Sequence, residues 1–228
     1  MDEFAAKEAA GRAAARFVEA GMRLGLGTGS TARCFIVAVG ELVAAGLEVS
    51  AVATSLASAE LAATLHIPLR DLDDDGLDLA VDGADLIDLD LRLVKGGGGA
   101  HVRERIVAAA ARQFIVIADE TKLCRRLHGP IPVELLEFGA PATLRALAET
   151  GVPFRLRTAD GVQQRADSGN LLADGQFGEI EDAQRLAAQL DAVPGVVGHG
   201  LFLGMADAVL VGLSSGAIRE LGPRQGGA

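Results

Sequence analysis

Between Val81 and Glu104 the sequence reads VDGADLIDLDLRLVKGGGGAHVRE. It holds two carboxylates three residues apart (Asp82, Asp85) and a lysine, Lys95, that opens the four-glycine run Gly96 to Gly99. A glutamate, Glu104, stands five residues beyond that run. Carboxylates give and take protons. An ammonium and a row of backbone N–H groups stabilise a developing oxyanion. Glycines let the backbone come close to a ligand. Three acids, one cation and a loop of donors suit a small polyhydroxylated anion. Singly, Asp-Gly is a common turn, a glycine run is a flexible connection, and an acid in a first helical turn favours the macrodipole. Their joint occurrence, each near a strand end, favours a site.

A second constellation lies upstream in MRLGLGTGSTARCFIVAVGELVAAG. Arg23 to Leu26 suits a short strand, Gly27 to Ser30 a tight loop, and Thr31 to Ala45 a helix. Strand, glycine-rich loop and helix in that order aim backbone N–H groups at a phosphate. No lysine precedes Ser30 or Thr31, so this is not a P-loop. Gly25 and Gly27 would need a third glycine at position 30 to make the dinucleotide fingerprint, and that residue is Ser. A hydroxyl-bearing nest remains (Thr28, Gly29, Ser30, Thr31), sized for one phosphate. An ordinary βα turn with a Ser or Thr cap is the alternative.

The elements that must carry these residues alternate. A helix over 2–20 ends at Gly21. Strands are expected at 47–54, 77–81, 91–94 and 114–122, and helices at 58–65 and 103–112. Such alternation implies a mostly parallel sheet with right-handed crossovers. Ligands bind outside the carboxyl ends of its strands. Five such ends carry polar residues: 28–31, Thr54 with Ser55, Asp82 with Asp85, Lys95, and Asp119 with Lys122. After Gly129-Pro130-Ile131-Pro132 the texture changes. Strand 133–138, helix 142–150, strands 154–158 and 170–174, helix 180–190 and a strand near 196–203 give the β-α-β-β-α-β order of a ferredoxin-like motif. The apolar stretch Met205 to Leu213 is expected to return to the first sheet. The fold class is therefore α/β: a Rossmann-like, mostly parallel sheet domain (1–129 and 204–228) with a smaller ferredoxin-like α+β domain (130–203) inserted before its last strand. The closing GPRQGGA is expected to be disordered.

Composition narrows the function classes. The net charge of −10 disfavours general nucleic-acid binding, while a local nest can still hold a small anion. Trp and Tyr are absent, so stacking on bases would fall to Phe and His. No apolar run reaches the roughly 18 residues of a membrane span, and the N-terminus lacks the pattern of a signal peptide. Cys34 and Cys124 make no metal-type pair, which points to a reduced, cytoplasmic setting. His66, His101, His128 and His199 show no ligand spacing, and no G-x-S-x-G elbow is present. Neither a metal nor a cofactor is expected.

GLGTGSTA (25–32), DGAD (82–85), KGGGGA (95–100) with Glu104 following, ADETK (118–122), and PGVVGHGLF with MADAVLVG (194–212) together resemble ribose-5-phosphate isomerase type A. The resemblance runs from about Ala6 to Gly212 with the motifs in order. It implies an enzyme that interconverts ribose 5-phosphate and ribulose 5-phosphate in the non-oxidative pentose phosphate pathway, without metal, through a cis-enediol(ate). It implies Glu104 as the base, with Asp82, Asp85 and Lys95 around the reacting end. Thr28, Gly29, Ser30, Thr31, Gly83, Ala84, Gly96, Gly97, Gly98 and Lys122 complete the substrate contacts. It also implies a homodimer. His101 departs from the aliphatic residue usual in the family, and Thr121 from the common Ser. Two other readings stay open from the residues alone: a non-catalytic sugar-phosphate-binding module, which has no need of Lys95 with Glu104, and a related sugar-phosphate isomerase or amino-sugar phosphate deaminase.

Overall fold

The structure is a computed structural model, and it describes residues 3–222. Residues 223–228 of the closing segment, expected to lack order, lie outside the described residues. Contacts divide the chain into two units. The first comprises Met1–Ala84, Arg103–Leu123 and Gly204–Ala228; the second comprises Asp85–Val102 and Cys124–Leu203. The chain passes from the first unit to the second at Ala84–Asp85 and passes back at Val102–Arg103. Residues 85–102, assigned from sequence to the Rossmann-like part, are thus grouped with the second unit.

In the first unit the elements are helix α1 (Glu3–Ala15), strand β1 (Arg23–Leu26), helix α2 (Ser30–Ala44), strand β2 (Ser50–Ala53), helix α3 (Leu56–Thr64) and strand β3 (Leu77–Asp82). In the second unit strands β4 (Leu86–Ile87) and β5 (Leu93–Val94) follow. Helix α4 (His101–Ala110) then leads back into the first unit and strand β6 (Ala111–Asp119). The second unit resumes with β7 (Gly129–Leu135), α5 (Ala140–Ala148), β8 (Phe154–Leu156), β9 (Thr158–Ala159), β10 (Val162–Gln163), β11 (Leu171–Phe177), α6 (Ala183–Asp191), β12 (Val196–His199) and β13 (Leu201–Phe202). Strands β14 (Ala208–Gly212) and β15 (Ile218–Leu221) close the first unit.

The first unit is built on a six-stranded sheet in the order β15-β14-β6-β3-β1-β2. Every pair in it is parallel except β14 with β15. Its central strands are continuous apolar runs, as a sheet covered on both faces requires: Leu24, Leu26, Leu79, Val81, Ile115 and Ile117 are buried. Phe35, Ile36 and Val39 of α2 fill one side, and Ala10 and Ala14 of α1 pack into the same core. The return of Met205 to Leu213 to this sheet holds, as β14. Helix α1 is shorter than expected. After Ala15 the bonds tighten to three-residue turns, with Arg16 and Phe17 N–H donating to the Ala13 and Ala14 carbonyls.

The second unit contains a four-stranded sheet in the order β12-β7-β11-β8, every pair antiparallel. With α5 and α6 between its strands it has the expected β-α-β-β-α-β order. Helix α6 buries Ala183, Leu186 and Leu190, one face at helical spacing, and Asp182 caps it by accepting from Arg185 N–H at 2.9 Å. One expectation fails here. The strand expected at 91–94 does not join the parallel sheet: β5 pairs antiparallel with β4 and β13 in a separate three-stranded sheet. Two-residue strands have no period to read, so their sheet is set by tertiary pairing.

Candidate active site

In the first unit the carboxyl ends of the parallel strands carry the polar residues. Asp82 is the last residue of β3 and is buried. Its Oδ1 accepts from Thr28 N–H at 3.0 Å and from Gly83 N–H at 2.7 Å. Gly27 makes this approach possible, because a Cβ there would collide with the Asp82 carboxyl group. Thr28 Oγ1 shares a hydrogen bond with Thr54 Oγ1 at 2.7 Å, and Ser58 Oγ donates to the Gly27 carbonyl at 2.7 Å. The turn between β1 and α2 is therefore pinned from β2, α3 and β3. Gly29, at φ 103°, is the N-cap of α2 and supplies no capping side chain. In the first turn of α2 Ser30 is exposed and Thr31 buried, and the helix dipole stands behind them, as an anion requires.

Glu104 sits in the first turn of α4 and is 5% exposed. The position of α4 follows from two close approaches. A Cβ on Gly76, before β3, would meet the carbonyl of Ala110, and one on Gly25 of β1 would strike Val107. The carboxyl end of the helix therefore lies at the amino end of the strands, and its first turn lies at their carboxyl end. Glu104 is one turn ahead of Val107 on the same face, on the edge that holds Asp82. At the end of β6, Asp119 accepts from Thr121 N–H at 2.9 Å and from the Thr121 hydroxyl, forming the short 3₁₀ turn Glu120–Lys122. That turn places Lys122, half-buried, at the same edge.

In the second unit Lys95 follows β5 and is buried, with Nζ 5.6 Å from the Phe202 ring centroid. Its N–H donates to the Gly200 carbonyl at 2.8 Å. Asp85 is exposed, and its Oδ2 accepts from Gly97 N–H at 2.8 Å. Gly96 has φ 101° and packs so closely on the buried His101 ring that a Cβ would be 2.8 Å from Nδ1. A side chain at 96 is thus excluded both by backbone conformation and by space. A cavity of about 470 Å³ adjoins the loop, lined in part by Asp85, Gly97, His128, Arg157 and Asp174.

Thr28, Gly29, Ser30, Thr31, Asp82, Gly83, Ala84, Glu104 and Lys122 belong to the first unit. Asp85, Lys95, Gly96, Gly97 and Gly98 belong to the second. Direct hydrogen bonds join Thr28 to Asp82 and Asp85 to Gly97. Lys95 was expected at the parallel sheet's edge and instead follows the small antiparallel sheet. The sequence reading passed over Ser58, whose S-x-x-S spacing from the cap Ser55 was the available signal, and Arg157, whose partners at Gly96, Gly97 and Asp174 are far away in sequence. Among the described residues no three His, Cys, Asp or Glu side chains are grouped as a metal ion would need.

The Asp82–Gly27 contact yields a direct test. Gly27→Ala forces overpacking against a buried carboxylate, and such insertions cost about 1–3 kcal/mol. The variant is expected to melt at a lower temperature and to lose turnover even where it remains folded. A variant with unchanged melting and unchanged activity would show that the close approach is not needed.

Comparison with known proteins gives one answer. The sequence profile of ribose 5-phosphate isomerase A (phosphoriboisomerase A) matches residues 50–216. Ribose-5-phosphate isomerase A of Parvibaculum lavamentivorans is 48% identical over 219 residues, covering 92% of this chain and 95% of that protein. That of Haloarcula marismortui is 49% identical, covering 93% of each. The solved ribose 5-phosphate isomerase of Plasmodium falciparum superposes with a TM-score of 0.93 at 33% identity, covering 98% of this chain and all of that one. A ribose-5-phosphate isomerase in complex with phospho-erythronic acid has a TM-score of 0.92 at 35% identity, covering 97% and 100%. With nearly full-length matches on both sides and a family profile that covers most of the sequence, this chain belongs to the ribose 5-phosphate isomerase A family.

Proposed function

We propose that this chain interconverts ribose 5-phosphate and ribulose 5-phosphate by proton transfer through a cis-enediol(ate). The observation that carries the reading is Glu104, a buried carboxylate in the first turn of a helix, on the strand edge that also presents Asp82 and the uncapped start of α2. Glu104 takes the proton from C2 of the open-chain aldose. The C2–H electron pair becomes the C1–C2 double bond, and the carbonyl electrons move onto O1. Return of the proton to C1, with transfer of the O2 hydroxyl proton, gives the ketose. A base on a rigid element serves both carbons. Lys95 and the N–H groups of Gly96 and Gly98 stabilise the enediolate oxygens, while Gly97 N–H is held by Asp85. Asp82 and Asp85 bind and shuttle the hydroxyl protons, with Gly83 and Ala84 shaping the turn between them.

Phospho-erythronic acid, held by one of the relatives, fits this chemistry. It pairs a phosphate with a planar, anionic carboxylate, the charge and shape an enediolate develops. The phosphate of the substrate takes the nest formed by Thr28, Gly29, Ser30 and Thr31, with Lys122 beside it. A homodimer and a cytoplasmic setting belong to the same proposal, the first testable by light scattering.

A coupled assay with ribose 5-phosphate tests the activity directly; no conversion by the folded protein would end this reading. Lys122→Ala tests the placement of the phosphate. It is expected to raise KM for ribose 5-phosphate by about tenfold, the order of one charge-assisted contact, while turnover of unphosphorylated ribose stays as it was. Equal losses for both sugars would contradict a phosphate role for Lys122.

A further inference from the structure

We propose that Arg157 is a positioning residue for the glycine loop: by holding two successive carbonyls it fixes the direction in which the loop's peptide N–H groups face. Arg157 follows β8 in the second unit, and its own N–H donates to the Leu172 carbonyl of β11 at 2.8 Å. Its guanidinium is divided between two tasks. Nε and Nη2 donate to Asp174 Oδ2 and Oδ1 at 2.8 and 2.5 Å, a bidentate pair. Nη1 donates to both the Gly96 and Gly97 carbonyls, each at 3.0 Å.

The consequence follows from peptide geometry. No peptide bond among the described residues is cis, and in a trans peptide the C=O of one residue and the N–H of the next point in opposite directions. With the Gly96 carbonyl on Arg157, Gly97 N–H must point away from it, and there it meets Asp85 Oδ2 at 2.8 Å. With the Gly97 carbonyl on Arg157, Gly98 N–H must also turn away from the guanidinium. A run of glycines has the widest choice of conformations in the chain, and peptide flips within it reverse donors into acceptors. Gly99 N–H also donates to the Gly96 carbonyl at 2.9 Å, but among the described residues only Arg157 holds the Gly97 carbonyl as well and ties both to a strand outside the loop. Asp174 fixes the plane of the guanidinium from a strand of the four-stranded sheet, so the loop is referenced to a rigid element.

The inference rests on the proposed isomerase reading for its kinetic consequence, but not for its structural one. The test compares wild type with Arg157→Ala, Arg157→Lys and Asp174→Asn. Steady-state kinetics, melting temperature and amide hydrogen exchange over residues 95–99 are read for each. Arg157→Ala is expected to lower kcat by about tenfold or more, the scale on which small misplacements are felt, with KM moving less than about threefold. Exchange at 96–98 should accelerate. Arg157→Lys should recover activity only in part, because an ammonium cannot bridge two carbonyls and a carboxylate in one plane. Asp174→Asn should fall between Arg157→Lys and wild type. If Arg157→Ala does not fold, the other two variants carry the comparison. Folded variants with wild-type kcat and wild-type exchange at 96–98 would overturn the proposal. Should wild type itself fail to convert ribose 5-phosphate, the isomerase reading falls, and exchange at 96–98 alone decides the role of Arg157.

Discussion

Glu104→Gln is expected to lower kcat by about a hundredfold or more, the low end of what a general base contributes, with little change in KM. The amide is nearly the same size and shape as the carboxylate, so packing in the first turn of α4 is retained. What is lost is the ability to take a proton from carbon. Glu104 is 5% exposed, and solvent cannot easily replace the missing base at that position. A carboxylate that served only the helix dipole would behave differently. Its replacement by Gln would cost about 0.3–1 kcal/mol of stability and leave turnover of the folded enzyme intact. Kinetics and thermal melting on the same preparation therefore separate the two roles. Near-wild-type kcat in a stably folded Glu104→Gln would remove the residue from the base's position.

Much of the first unit was legible because its signals are local. β1, the glycine turn and α2 follow one another with strand, loop and helix composition, and Asp82 closes an apolar run that ends where β3 ends. The β-α-β-β-α-β order after Gly129 was legible for the same reason, since each element keeps its own period. The boundary of the second unit was not. Residues 85–102 contain strands of only two residues, and what assigns them is pairing with β13, over a hundred positions away. The loop's chemistry could be read from Lys95 and its glycines, but not what holds the loop in one conformation. Arg157 and Asp174 stand among charged residues of ordinary appearance, 60 or more positions from the carbonyls they fix. Strand β15 was missed because it is a short antiparallel addition with exposed side chains and no apolar pattern.

The residues also make a prediction about the route the hydrogen takes. Aldose–ketose isomerases move it either as hydride, directly between carbons on a divalent metal, or as a proton through an enediol. In the second route the abstracted proton rests on a carboxylate and can exchange with water before it returns. With Glu104 as that carboxylate, and with Lys95 and the glycine loop as donors to the enediolate, full activity is expected after exhaustive chelation. Reaction in D₂O should place deuterium on carbon, at C1 of ribulose 5-phosphate or C2 of ribose 5-phosphate. The burial of Glu104 slows access of solvent to the held proton, so return to substrate competes with exchange. Label is then expected to be partial in the first turnovers and to accumulate as the equilibrium is cycled. In Arg157→Ala, a loosened glycine loop should let more solvent label enter per turnover than in wild type. Activity abolished by chelation and restored by one divalent metal, with no carbon-bound deuterium even at equilibrium, would overturn the enediol route and the role given to Glu104 together.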